Sequence, residues 1–150
     1  MKAKTLSELD VAVERLQEEV SRLAAQWEAE GSGCSPEQFN DLLDFNDQRI
    51  WGISHLFLQV NNGGIQQWID NGYWTLEISA YLKSLDEKDL ASEIDSLVKQ
   101  YSEIEVELHH EDLQSPESLA WDDRSDEFDG DFYNGIGDAL IIKLASTIKK

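Results

Sequence analysis

Cysteine, long apolar runs and basic residues are all scarce in this chain. Cysteine occurs once, as Cys34. It cannot form an internal disulfide, so a reducing compartment, the cytoplasm, is expected. No apolar run approaches the roughly 18 residues of a membrane span. The opening MKAKTLSELD has two lysines but no apolar core, which predicts no secretory signal. Lys and Arg number 12 against 31 Asp and Glu, a formal net charge of −19. Five of the 12 lie near the ends: Lys2, Lys4, Lys143, Lys149 and Lys150. Between residues 5 and 142, seven bases face all 31 acids, a balance of −24. DNA, RNA and anionic membranes need a positive footprint, which argues against direct binding to any of them. Cations, basic peptides or basic proteins are the natural partners.

What is present is enough apolar material for a core. Hydrophobic residues make up 41%, with five Trp, four Tyr and five Phe, whereas disordered acidic chains lack such content. A chain of 150 residues fits one domain. Self-repulsion at this charge costs stability, so a compensating use for the charge is expected.

The first helix is marked by Thr5 and Glu8 at capping-box spacing. Leu6, Leu9, Val13, Leu16, Val20, Leu23 and Trp27 then alternate steps of three and four, an a/d seam over three heptads. The e and g positions, Asp10, Ala12, Gln17, Glu19, Ala24 and Gln26, offer no opposite charges to specify a partner strand. A helix packed on its own domain is expected, with a dimer seam as the alternative.

Gly31-Ser32-Gly33 ends that helix, and Ser35-Pro36-Glu37 opens the next with Ser as N-cap. Phe39, Leu42, Leu43, Asn46, Ile50, Ile53, Phe57 and Val60 form one face of a long helix to about residue 60. Residues 51–60 are apolar nearly all round, which predicts a central position. Asn61-Asn62-Gly63-Gly64 stops this helix or takes it through a left-handed cap. A short helix over 65–69, a turn at Asp70-Asn71-Gly72 and a helix over about 73–85 follow. Asp86 reads as the N-cap of a helix with Leu90, Ile94, Leu97, Val98, Tyr101, Ile104 and Leu108 on one face. Residues 103–108 also alternate strictly, which leaves a short strand open. Residues 109–131 are acidic with little periodicity and read as a loop, with room for one turn of helix. The last helix is expected over about 131–148, with Phe132, Ile136, Leu140 and Leu144 as its stripe and lysines at its end suiting the macrodipole. The expected fold is all-α, a single-domain multi-helix bundle of about six helices with a long acidic loop before the last. It comprises an N-terminal heptad helix (1–30) and a helical core (36–148).

No catalytic signature is present: there is no H-E-x-x-H, G-x-S-x-G or Walker loop. Paired carboxylates act only at defined separations around a pocket, and acids spread along the chain dilute any pair. His55, on an apolar helix, reads as a core group. Cys34 lies in a Gly/Ser turn without the base and electropositive setting a reactive thiol needs. An EF-hand loop with Gly130 at its sixth position would put Ser125 first and Ile136 twelfth, which fails at both ends. His109-His110-Glu111-Asp112 has ligand types, but adjacent side chains do not converge on one ion. Neither an enzyme, a cofactor nor a dedicated metal site is expected.

The acids are concentrated. Residues 103–131 hold Glu103, Glu105, Glu107, Glu111, Asp112, Glu117, Asp122, Asp123, Asp126, Glu127, Asp129 and Asp131, against Arg124 alone, for a charge of −11. Asp86, Glu87, Asp89, Glu93 and Asp95 make a second set, and Glu8, Asp10, Glu14, Glu18 and Glu19 a third. A solvated face that keeps the chain soluble is the plain reading. The functional one is imitation of nucleic acid. Duplex DNA carries about one charge per 1.7 Å of axis, and helical residues three or four apart hold their Cβ atoms about 5–6 Å apart. Rows of Asp and Glu on rigid helices therefore resemble rows of phosphates, and such a surface steers basic partners quickly and in a salt-sensitive way.

Two stretches resemble a known family. Val60-Asn61-Asn62-Gly63-Gly64-Ile65-Gln66-Gln67-Trp68 is similar to a motif of Asn, Gly, Gly, a Gln further on and then an aromatic, and Asn71-Gly72-Tyr73 continues the likeness. Phe128-Asp129-Gly130-Asp131-Phe132-Tyr133 resembles the family's Asp-rich entry into its last helix. The family is all-helical and bacterial, usually a domain of unknown function. Its characterised member is an acidic DNA mimic that occupies the DNA-binding surface of a helix-turn-helix regulator and forms a dimer. The likeness covers about residues 39–148. The loop expected around Ser115 to Arg124 and the heptad helix depart from it. In this family the Asn-Gly-Gly segment is expected to shape a turn and its packing.

The resulting expectation is a DNA-mimic inhibitor that blocks nucleic-acid access to a basic DNA- or RNA-binding protein: a transcription regulator, a nucleoid protein or a defence nuclease complex. The 103–131 acids would form the main contact and those at 86–95 its support, with a homodimer left open. The alternative is an immunity or interaction module neutralising a basic toxin.

Overall fold

The computed structural model describes residues 7–31, 35–71, 77–108 and 115–148. Among them the elements are α1 (Glu8–Gly31), α2 (Pro36–Asp41), α3 (Phe45–Asp70), α4 (Ile78–Ser84), α5 (Lys88–Leu108), α6 (Pro116–Asp131), a π turn (Phe132–Ile136) and α7 (Gly137–Ser146), with no strand. With α6, the π turn and α7 counted as one rod kinked at Gly135 (φ 157°), the described residues form six helical rods in the all-α bundle their periodicities predict.

Four of the rods, α1, α2, α3 and α6, start where a short polar side chain accepts a backbone N–H, whereas Glu77 before α4 makes no such bond. Ser7 Oγ accepts the Asp10 N–H at 3.1 Å while the Asp10 carboxylate receives the Ser7 N–H at 3.4 Å. This reciprocal cap opens α1; Thr5, half of the expected Thr5–Glu8 box, lies outside the described residues. Ser35 and Gln38 form the same kind of box at α2. The single helix expected over about 36–60 is divided, because Asp44 Oδ1 accepts the Asp47 N–H at 2.9 Å and begins α3 afresh.

α3 is the central element, touching α1, α2, α4, α6 and α7. Trp51, Gly52, Ile53, Ser54, Leu56 and Val60 are buried on it, whereas Leu58 is exposed. The heptad seam of α1 faces the inside of the domain: Leu16 and Leu23 are buried, Leu9, Val13, Val20 and Trp27 pack at the core's edge, and the helix touches α3 and α7. Trp27 stacks on Phe39 with centroids 5.5 Å apart, and Trp51 meets both edge-on.

Asp86 plays the opposite role from the one expected. Its φ of +60° is left-handed, the Asp86 N–H reaches the Lys83 carbonyl, and the Glu87 N–H reaches that of Leu82, both at 3.0 Å. This pair of bonds is a Schellman ending for α4, so Asp86 closes one helix instead of opening the next. Asp tolerates this conformation better than most residues. The helix expected from residue 73 is described from Ile78; residues 72–76 lie outside the described set. Residues 103–108 continue α5, because the buried Leu97, Tyr101 and Ile104 keep helical spacing.

The largest correction concerns the acidic segment. Residues 109–114 lie outside the described residues, but 116–131 form a full helix, not a loop. Ser115 caps it by accepting the Ser118 N–H at 3.1 Å, and Pro116 sits in its first turn. Its buried face is Ser118, Trp121, Ser125 and Phe128, at steps of three, four and three. Two of these four are serines, which hides the period from a hydrophobicity reading. Trp121 is fully buried, packs on Tyr101 at 4.9 Å and donates its indole N–H to the Leu97 carbonyl at 3.0 Å. The π turn then adds a residue to one helical turn. Ile136, expected on the buried stripe, is rotated out to 42% exposure, and Gly137 takes the inner place. A Cβ on Gly137 would lie 2.6 Å from the Phe132 ring, so only glycine fits there.

Trp121→Ala removes the anchor that docks α6 on α5. We expect a loss of about 3–5 kcal/mol in urea unfolding; an unchanged midpoint would show that α6 is not packed there.

Candidate functional site

The acids predicted to form a contact surface fall into distinct structural settings. On α6, Glu117, Asp122, Asp123, Asp126, Glu127 and Asp131 are exposed. Asp122 with Asp126, and Asp123 with Glu127, are four residues apart and form two rows along the helix. Arg124 does not neutralise them through a carboxylate; it leans to α5, donating to Gln100 Oε1 and, at 3.3 Å, to Ser96 Oγ. On α5, Glu93, Ser96, Gln100 and Glu103 follow at helical steps and share a flank. Arg124 marks that flank as the one beside α6, so exposed Glu93 and Glu103 border the α6 rows.

Other predicted residues do not join this surface. Asp95 lies on a different flank of α5, with Lys99 four residues on. Glu87 is half-buried and paired with Lys143 of α7, which also reaches the Leu85 carbonyl. Asp86 caps α4, and exposed Asp89 sits in the first turn of α5. Glu105 and Glu107 fall in the last turns of α5. Glu111 and Asp112 lie outside the described residues.

Asp129 is turned inward. Its Oδ1 accepts the Ile65 N–H at 2.8 Å, capping the point where α3 resumes after Gly64. Gly64 itself has φ +87° and ψ 173°, outside the helical region. A Cβ there would lie 2.4 Å from Asp129 Oδ2. The Asn-Gly-Gly stretch and the Asp-Gly-Asp stretch are therefore two halves of one joint. Burial raises the Asp129 pKa, the Ile65 N–H opposes that shift, and the charge of Asp126 adds to it. Nothing in the spacing of the acids distinguished this one.

His55 was expected in the core, and its ring meets Trp51 edge-on at 4.2 Å. Burial lowers its pKa to about 4, so the imidazole is neutral at pH 7. A groove of about 170 Å³ between α1, α3 and α7 is lined by Val13, Leu16, Val20, Phe57 and other largely apolar groups. A second hollow, at Glu19, Arg22 and Asp47, holds an ion-pair cluster in which Arg22 serves both carboxylates. Among the described residues, no three His, Cys, Asp or Glu side chains are grouped to hold a metal ion. None of the described helices is long and apolar enough to cross a membrane.

An all-α bundle presenting parallel carboxylate rows on a docked helix defines a class of acidic, helix-displayed charge scaffolds. The model of the DMP19-like protein family matches residues 41–150, and the chain belongs to that family. It is a DNA-mimic family, and membership is consistent with a DNA-mimic role in general. Neither a curated protein nor a solved structure matches the chain. The matched span starts at Asp41, the last residue of α2, and contains the Gly64–Asp129 joint and the whole of α6.

Three outcomes are expected here. Asp129→Ala should lose the cap and about 0.5–2 kcal/mol, whereas Asp129→Asn keeps an acceptor and sheds a partly buried charge. A folded pKa raised above the unfolded one contributes stability at low pH that is lost as pH rises through it. Asp129→Asn should therefore match or exceed the parent at pH 7 in thermal melts, and a loss equal to that of the Ala variant would remove the charge argument. For His55 the sign is reversed. Between about pH 4 and its unfolded value near 6.5, the unfolded state binds the proton, so stability falls as pH is lowered through that window. His55→Gln should flatten this limb relative to the parent, and parallel pH profiles would contradict the assignment.

Proposed function

We propose that this chain is a non-catalytic, cytoplasmic DNA mimic. Its α6 helix, with the bordering flank of α5, occupies the basic nucleic-acid-binding surface of a partner protein and excludes DNA or RNA from it. The partner is a DNA- or RNA-binding protein such as a transcription regulator, a nucleoid protein or a defence nuclease complex.

The observation that carries this reading is a linear charge density. From Glu117 to Asp131, α6 holds seven carboxylates and one guanidinium. Its axis over that span is about 21 Å at 1.5 Å per residue, or about 3.5 Å per net negative charge. One strand of duplex DNA carries a charge every 3.4 Å or so of axis. With inward-facing Asp129 set aside, the spacing is still about 4 Å. A groove lined by Lys and Arg meets on this helix nearly the field it meets along a DNA strand, and releases its own counterions in doing so. Membership of the DMP19-like family supports the same reading. The mechanism requires only that the carboxylates be held rigidly, which the Trp121 anchor and the Arg124 link to α5 provide. The groove beside α1 is lined mainly by apolar side chains, which gives chemistry no obvious seat.

The test is a variant with Asp122, Asp123, Asp126 and Glu127 all changed to Lys. Far-UV circular dichroism should be unchanged, because all four side chains are exposed. Capture from a low-salt lysate of the encoding cell should recover a basic protein with the parent chain, released by a salt step, and not with the variant. Retained binding by the variant, or recovery of no basic protein by the parent, would overturn the proposal.

A further inference from the structure

Gly130 breaks a local rule of α6 with no reason inside the chain. It lies in the helix without a positive φ, and a Cβ there would meet nothing within 4 Å. Glycine is among the least favourable residues for a helix interior. Gly64 and Gly137 differ, since neighbouring atoms leave them no room for a side chain. A glycine costly to the free fold and facing open space marks a place for close approach from outside.

Its surroundings say what approaches. Leu119, Asp123, Asp126, Gly130 and Tyr133 follow at steps of four, three, four and three, so they form one stripe. It lies on the outer face, away from buried Ser118, Trp121, Ser125 and Phe128. Leu119 is 46% exposed and Tyr133 68%, with Ile136 beyond it at 42%. The stripe thus has an apolar knob at either end, carboxylates between them and a notch at Gly130. A surface that read charge alone would have no use for the knobs or the notch. A 3–4 spacing is the ridge pattern that interlocks with another helix, and a missing Cβ lets two helix axes come closer. Exposed Tyr is a residue type on which interface energy concentrates.

We propose that this stripe seats an α-helix of the partner that is basic and amphipathic. An apolar side chain of the incoming helix enters the notch over Gly130 beside Tyr133. Lys and Arg on its flanks meet the rows of Asp122 with Asp126 and Asp123 with Glu127. This rests on the mimic reading above and adds a shape requirement to it: the charges attract any basic surface, and the notch selects a helical one.

Two labelled peptides of about 21 residues, with identical Lys, Arg and Leu composition, test the idea by fluorescence anisotropy at moderate salt. One is an amphipathic helix; the other is scrambled and held non-helical by D-residues. The parent chain should bind the helical peptide at least about tenfold more tightly. Gly130→Gln and Tyr133→Ala should each erase that advantage while leaving the weaker binding of the scrambled peptide unchanged. Gly130→Ala should raise the thermal midpoint by about 3 °C, which would show that the glycine is not needed by the fold. Equal binding of both peptides by the parent, or full retention of the helical advantage in Gly130→Gln and Tyr133→Ala, would overturn the seat and leave charge mimicry standing. Failure of both peptides to bind the parent would overturn the mimic reading itself.

Discussion

The hydrogen bond from the Ile65 N–H to the Asp129 carboxylate is the constraint around which the molecule is arranged. It sits where α3 must change direction, and at Gly64 the chain can do so only because no side chain stands between the two helices. A helix that restarts in mid-protein leaves backbone donors without partners, and the partner comes here from a different rod. The bond therefore fixes the position of α6 relative to α3. The Trp121 indole on the Leu97 carbonyl fixes it relative to α5. Between these two attachments, the outward face of α6 is held as a rigid ruler.

That rigidity is bought against strong self-repulsion. A chain with 31 acids and 12 bases has few ion pairs to offer, and those described lie away from the α6 rows: Arg22 with Glu19 and Asp47, and Lys143 with Glu87. None of them involves a carboxylate of the rows, which they leave uncompensated. Exposed pairs of this kind are each worth at most about 1 kcal/mol, so cohesion rests on the aromatic core, with Trp27, Phe39 and Trp51 at one end and Tyr101 with Trp121 at the other. The uneven use of bases suits a surface whose field acts on something else.

Much of the fold was legible from periodicity. The heptads of α1, the central α3 and the face of α5 follow from where apolar residues recur, and the break at Gly64 from the Asn-Asn-Gly-Gly stretch. Three of the failures share a physical cause: polar side chains doing structural work. Asp44 divides an expected single helix by capping, and Asp86 ends a helix because Asp tolerates the left-handed region. Ser118 and Ser125 face inward on α6, so a complete helix looked like a loop. The π turn was invisible because an extra residue in one turn leaves no mark in composition, and it carried Ile136 from the expected core to the surface. At the site, the acidic stretch could be located, but not its division into rows, an inward cap at Asp129 and an ion pair at Glu87. Long-range partners decide those roles, and a one-dimensional charge count contains none of them.

The central claim is that the α6 face and nucleic acid compete for one surface. The most direct measurement is titration of a preformed complex, between this chain and the basic protein it captures, with a short DNA duplex that the same protein binds, followed by analytical ultracentrifugation. Mutual exclusion is expected: each added duplex should release one copy of the chain, with an apparent affinity that weakens steeply as salt rises. A ternary complex holding both the duplex and the chain would contradict it.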